Sequence, residues 1–130
     1  MSSNPKKSNV CNVTLNILGY REDNEWVALA LEMDLRGYGK TFDKALAELK
    51  EIVSMQIGFA HFKGQPEMIL KPADPIWFGR FADVRNACLA AMLKPNAHHS
   101  THRDYEVAGL PIPPAHIIGA LQKQFTQANA

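Results

Sequence analysis

Three of the five histidines fall in one polar stretch, His98-His99-Ser100-Thr101-His102, the part of the sequence best suited by residue type to hold a metal. His98 and His102 would share a face in a helix, and imidazole nitrogens are ordinary zinc ligands. No carboxylate or thiolate stands nearby at useful spacing, and Pro95 argues against a helix. The stretch therefore reads as a solvated loop. Glu32 and Asp34, two apart at a strand end, form the other candidate group, a carboxylate pair able to do acid–base work or bind a metal ion. No histidine, lysine or further acid converges on them in the sequence, so both are assigned to solvent.

The remaining candidates also read as structure. Gly37-Tyr38-Gly39-Lys40-Thr41 has the look of a phosphate cradle, but it lacks the remaining glycines and spacing of a P-loop or dinucleotide fingerprint, and fits a turn followed by a helix cap. Trp77-Phe78 with Phe81 could stack bases; without interleaved basic residues it reads as core. Cys11 and Cys88 have no Cys or His at ligand spacing and read as buried free thiols, while His61 and His116 sit in helical patterns as edge or packing residues. The expectation is no catalytic residue, no metal site and no cofactor.

The elements that must carry these residues are more legible. Val10 to Leu18 alternates, with Cys11, Val13, Leu15 and Ile17 on one side, as in a half-buried strand. Tyr20 to Glu25 is short and polar, a hairpin connection that makes the next strand antiparallel. In that strand Val27, Leu29, Leu31 and Met33 are expected to meet a helix, with Trp26, Ala28, Ala30 and Glu32 on the other face. After a crossing at Asp34 to Lys40 the period changes. Thr41 is a plausible N-cap, and Phe42, Ala45, Leu46, Leu49, Val53, Ile57 and Ala60 form one face of a helix that reaches about Phe62 and stops at Gly64.

That helix carries a second apolar stripe, Ile52, Met55, Phe59 and Phe62. Leaving such side chains in water forfeits about 1.5–3 kcal/mol each, so a cover is expected. Met68-Ile69-Leu70 between two prolines suggests a short edge strand. Asp74 and Pro75 open a second long helix, whose stripe Trp77, Phe81, Val84 and Cys88 is the expected cover. Tyr105 to Pro114 is extended, and a last helix carries Ile117, Leu121 and Phe125, expected to reach a second subunit. The fold class is α+β: a small antiparallel sheet of three or four strands, with a long helix on one face. Residues 1–9 form a tail, 10–72 the α+β domain, and 73–130 a helical extension on the same core.

Composition agrees with a globular domain of ordinary polarity, 46% hydrophobic and 21% charged over 130 residues. The longest apolar run, Trp26 to Leu31, is too short to span a bilayer, and the N-terminus has no apolar core of a secretory signal; a cytoplasmic location is expected. Fourteen basic residues balance thirteen acidic ones, and residues 1–64 hold eight of each. No basic cluster marks a nucleic-acid footprint.

Trp26-Val27-Ala28, Asp34-Leu35-Arg36-Gly37-Tyr38, Gly39-Lys40-Thr41 and Ala45-Leu46 resemble the second strand, the Pro-Gly-Cys-type segment, the Gly-x-Thr turn and the helix start of the HicB-like antitoxin family, over about residues 13–70. Arg36 and Tyr38 stand where that family often has Pro and Cys, and Lys44 where it has Glu. The resemblance implies a truncated ribonuclease-H-like domain without catalytic acids that associates with itself and with a small toxin ribonuclease. Full antitoxins of the family continue into a ribbon-helix-helix or helix-turn-helix segment. Here the two C-terminal helices stand too far apart for either, so no specific DNA binding is expected. The function expected is that of a non-enzymatic, HicB-like protein-interaction module, antitoxin-like or an orphan relative. Its interaction surface would include Ile52, Met55, Phe59, Phe62, Ile117, Leu121 and Phe125. The alternative is an RNA-binding or metal-dependent hydrolytic domain using Glu32 and Asp34.

Overall fold

The structure, a computed structural model, describes residues 13–69, 71–94 and 104–112. Strand β1 (Thr14–Glu22) pairs antiparallel with β2 (Glu25–Ala30), which pairs antiparallel with β3 (Leu35–Gly39). Helix α1 (Phe42–Lys63) follows, then a 3-10 turn (Pro66–Ile69), helix α2 (Pro75–Leu93) and strand β4 (Tyr105–Pro111). β4 pairs antiparallel with β1, giving the order β3-β2-β1-β4. The fold is α+β as expected, with four strands.

The β1–β2 hairpin is tighter than the sequence suggested. Both strands run on to the Glu22↔Glu25 pair, leaving only Asp23 and Asn24 as the turn, at φ 51° and 66°. Asp and Asn are the non-glycine residues that best tolerate this left-handed geometry, and two such residues match the twist of a hairpin. Of the residues read from sequence as a connection, Tyr20, Arg21, Glu22 and Glu25 therefore belong to the sheet.

The two helices lie on opposite faces. On one, Ala45, Leu49, Val53 and Ile57 of α1 pack with Leu15, Ile17, Ala28, Ala30 and Met33, joined by Leu110 of β4. On the other, Phe81 and Val84 of α2 pack with Leu18, Leu29, Leu31 and Ala73. This corrects the face assigned to β2: Ala28 and Ala30 meet α1, whereas Leu29 and Leu31 meet α2. The cause lies in the glycines. A Cβ on Gly37 would lie 2.5 Å from the Leu49 amide nitrogen, and one on Gly39 2.6 Å from that of Ala45. The helix approaches too closely for large side chains beneath its first turns, so small residues line that face and the leucines turn away.

The same arrangement overturns the expected cover for the second stripe of α1. Trp77, Phe81, Val84 and Cys88 belong to the cluster across the sheet and do not pack on Ile52, Met55, Phe59 and Phe62. Of those four, Met55 is exposed and the other three half-buried, with Lys63 Nζ 5.7 Å from the Phe59 ring centre. The expected edge strand at Met68-Ile69-Leu70 is also corrected: Pro66–Ile69 form the 3-10 turn, and Gln56 Nε2 donates to the Met68 carbonyl at 3.4 Å. A proline that cannot donate is as well suited to starting a helical turn as to a sheet edge.

Helix ends follow the sequence signals. Thr41 Oγ1 accepts from the Lys44 amide at 3.2 Å, and Gly64 at φ 65° closes α1 with Gln65 N donating to Ala60 O at 2.9 Å. Asp74 Oδ1 accepts from the Ile76 amide at 3.1 Å, with Pro75 next. The start of α2 is fixed to the sheet by Ala73 N, which donates to Leu31 O at 2.8 Å.

Candidate functional site: an aromatic floor among unpaired charges

Period-two alternation sends Tyr20 of β1 and Tyr105 of β4 to the same face, and the two are register partners across the β1–β4 ladder. Fixing α2 by Ala73 and the Asp74 cap sets Trp77, in its first turn, beside them. The Tyr20 and Trp77 rings stack with centroids 4.9 Å apart and planes 23° apart. Offset stacking of this kind is worth about 0.5–1.5 kcal/mol beyond burial. All three aromatics are half-buried against the leucine cluster.

Two arginines join this floor from different directions. Arg80, one helical turn after Trp77, holds its guanidinium 5.4 Å from the Trp77 ring centre, and Arg36 of β3 holds its own at 5.7 Å. Arg36 reaches diagonally across β2. Its Nε donates to the Tyr20 hydroxyl at 3.3 Å and its Nη1 to Asp34 Oδ1 at 3.0 Å. Partial burial works against its charge, but the Tyr20 and Asp34 contacts outweigh burial and raise its pKa, so Arg36 stays cationic.

Between the β1–β2 turn, the start of α2 and the start of β4 lies an open cleft of about 560 Å³. Tyr20, Trp77 and Tyr105 line it, with Arg21 and Arg80 as cations and Glu22, Asp23 and Asp104 as anions. The Arg36–Asp34 contact is the one ion pair among the described residues. Arg80, Asp23 and Asp104 therefore stand in the cleft wall without a salt-bridge partner among the described residues.

The sequence candidates are distributed elsewhere. Glu32 accepts from Asn16 N at 2.9 Å and from Asn16 Nδ2 at 2.8 Å, while Asp34, at φ 53°, pairs with Arg36. Each carboxylate serves a different local contact, and no group of three or more His, Cys, Asp or Glu among the described residues is placed to hold a metal ion. Gly37 to Thr41 is β3 followed by the cap, with the Tyr38 amide donating to Glu48 Oε1 at 2.8 Å. His61 is exposed in the last turn of α1 and Cys88 is half-buried under α2. Cys11, His98, His99, His102, His116, Ile117, Leu121 and Phe125 lie outside the described residues. Trp77 and Phe81 are core-facing as expected; Phe78 is 36% exposed.

Sequence reasoning passed over the site because its cations are not neighbours in the chain. Only Arg80, three residues after Trp77 and hence on an adjoining part of the helix surface, was a visible signal. No described helix is long and apolar enough to cross a membrane. No protein-family model, curated protein or solved structure matches this chain.

Proposed function

We propose that the chain is a non-enzymatic protein-interaction module that associates with itself through the outer side of α2. The observation that carries this reading is the exposure of Leu89, Met92 and Leu93, at 53%, 77% and 75%. With Phe78, Ala82 and Arg85 before them, Leu89 and Met92 follow steps of four, three, four and three, which keep a seam on one side of a helix. The seam is complementary to its own two-fold copy. In an antiparallel pair centred near Arg85, Phe78 opposes Met92 and the small Ala82 opposes Leu89.

The strand–strand–strand–helix order of β1 to α1 supports a HicB-like kinship, and with it a small toxin protein as a second partner in the cytoplasm. The balanced charge argues against specific DNA binding. Sedimentation velocity across a concentration series tests the self-association. The expected result is a reversible dimer that Leu89→Asp dissociates without altering the circular dichroism spectrum. Arg85→Leu, which removes like charges facing each other at the two-fold, should tighten it. A wild-type monomer throughout, or a dimer indifferent to Leu89→Asp, would refute the reading.

A further inference from the structure

We propose that the outer edge of β4 takes up an extended peptide of a partner protein as an added antiparallel strand, with an apolar residue of that peptide beside Leu110 and a basic one beside Glu106. β4 ends the order β3-β2-β1-β4 and, among the described residues, pairs only with β1. Ile112 N donates to Val13 O at 2.9 Å, so Leu110, Ala108 and Glu106, at two-residue steps, also turn their amides toward β1. Tyr105, Val107 and Gly109 turn theirs outward, and no hydrogen bond among the described residues takes them. Pro111 stands at the next outward position, where a missing N–H costs the ladder nothing. On the opposite edge of the sheet the outward Tyr38 amide of β3 is already met, donating to Glu48 Oε1 of α1 at 2.8 Å. A row of unmet main-chain donors and acceptors is a template for one more strand.

Alternation sets what the added strand meets on each face. Its residues opposite Tyr105, Val107 and Gly109 exchange main-chain bonds with β4 and face α2, whereas those opposite Glu106, Ala108 and Leu110 face α1. At Leu110 the α1 side opens into a groove of about 290 Å³ between Lys50, Val53 and Ser54 of α1 and Leu110 and Pro111 of β4. An aliphatic side chain suits Val53, Leu110 and Pro111, with the Lys50 stem along it. Glu106 is exposed and has no ion-pair partner among the described residues, so a cation opposite it completes a cross-strand pair. Exposed Gly109 leaves space for an aromatic residue to lie across it. A second copy of β4 meets these demands poorly. The register that pairs all of Tyr105, Val107 and Gly109 sets Val107 on its own copy. Tyr105 then lies across Gly109, but Asp104 comes opposite Leu110 and the uncharged Ala108 opposite Glu106.

The probe is the labelled heptapeptide Ser-Ile-Tyr-Thr-Val-Lys-Thr, written to run antiparallel from Pro111 to Tyr105 and titrated with the full chain by fluorescence anisotropy. It should bind saturably. N-methylation of its tyrosine or valine amide, which point at β4, should weaken binding about 10-fold or more, whereas N-methylation of the threonine between them, whose amide points away, should change it less than about 3-fold. Replacing its isoleucine by aspartate should cost about 10-fold. This peptide series requires no altered protein to fold. In the protein, Gly109→Pro removes an outward amide and no ladder bond, and should weaken the peptide about 10-fold relative to Gly109→Ala, which adds the same Cβ and keeps the amide. Leu89→Asp should bind the peptide as the unaltered chain does, which separates this edge from the α2 seam. No saturable binding at millimolar concentration, equal losses from the three N-methylations, or equal binding by Gly109→Pro and Gly109→Ala would overturn the proposal. Self-association lost in Gly109→Pro and kept in Gly109→Ala would overturn it too, marking a second copy as the occupant.

Discussion

The two faces of the sheet are built on opposite principles. Under α1 the sheet offers Gly37, Gly39, Ala28 and Ala30, and the helix settles so close that its own backbone would touch an added Cβ. Under α2 it offers Leu18, Leu29 and Leu31, with an aromatic margin that Arg36 and Arg80 overlay and that stays partly open to water. Close packing of this kind leaves no room for a ligand between α1 and β3 at Gly37 and Gly39. The α2 face retains half-buried rings, charges without an ion-pair partner among the described residues, and the exposed side chains Leu89, Met92 and Leu93.

Matched changes on the two sides sharpen this contrast. Leu49→Ala, which empties a fully buried position under α1, should cost about 2–5 kcal/mol in urea unfolding. A smaller cost would mean the helix can settle inward, against the close contact described. A single added methyl separates the faces more cleanly. Gly37→Ala forces the α1 backbone away and should cost about 1–3 kcal/mol, whereas Gly79→Ala, on the exposed side of α2 with nothing within 4 Å of its Cβ, should stabilise by about 0.5–1 kcal/mol. Equal effects from the two substitutions would remove the distinction.

Much of the α1 side was legible in the sequence because its signals are local. Thr41, the three- and four-residue spacing from Phe42 to Ala60, and Gly64 each act within a turn or two of chain, and each appears where expected. The strand beneath it was read in the wrong direction. Trp26 to Leu31 is apolar on both faces, so periodicity alone could not choose which set meets α1. The decision comes from Gly37 and Gly39, on a neighbouring strand, which set how near the helix can come. Once Leu29 and Leu31 face away, Trp77 and its companions must follow them, and the stripe assigned to cover α1 goes to the other layer. The cleft was harder still. Tyr20, Arg36, Trp77 and Tyr105 come from four elements, and only the strand order β3-β2-β1-β4 with α2 across it brings them together.

The central claim is that association uses the outer side of α2 and leaves α1 uninvolved. Amide hydrogen exchange at low and high protein concentration measures this directly. The account predicts that protection in Leu89 to Leu93 rises with concentration while that of α1 from Phe42 to Lys63 does not change. Concentration-independent exchange across α2, or new protection confined to the outer side of α1, would contradict it.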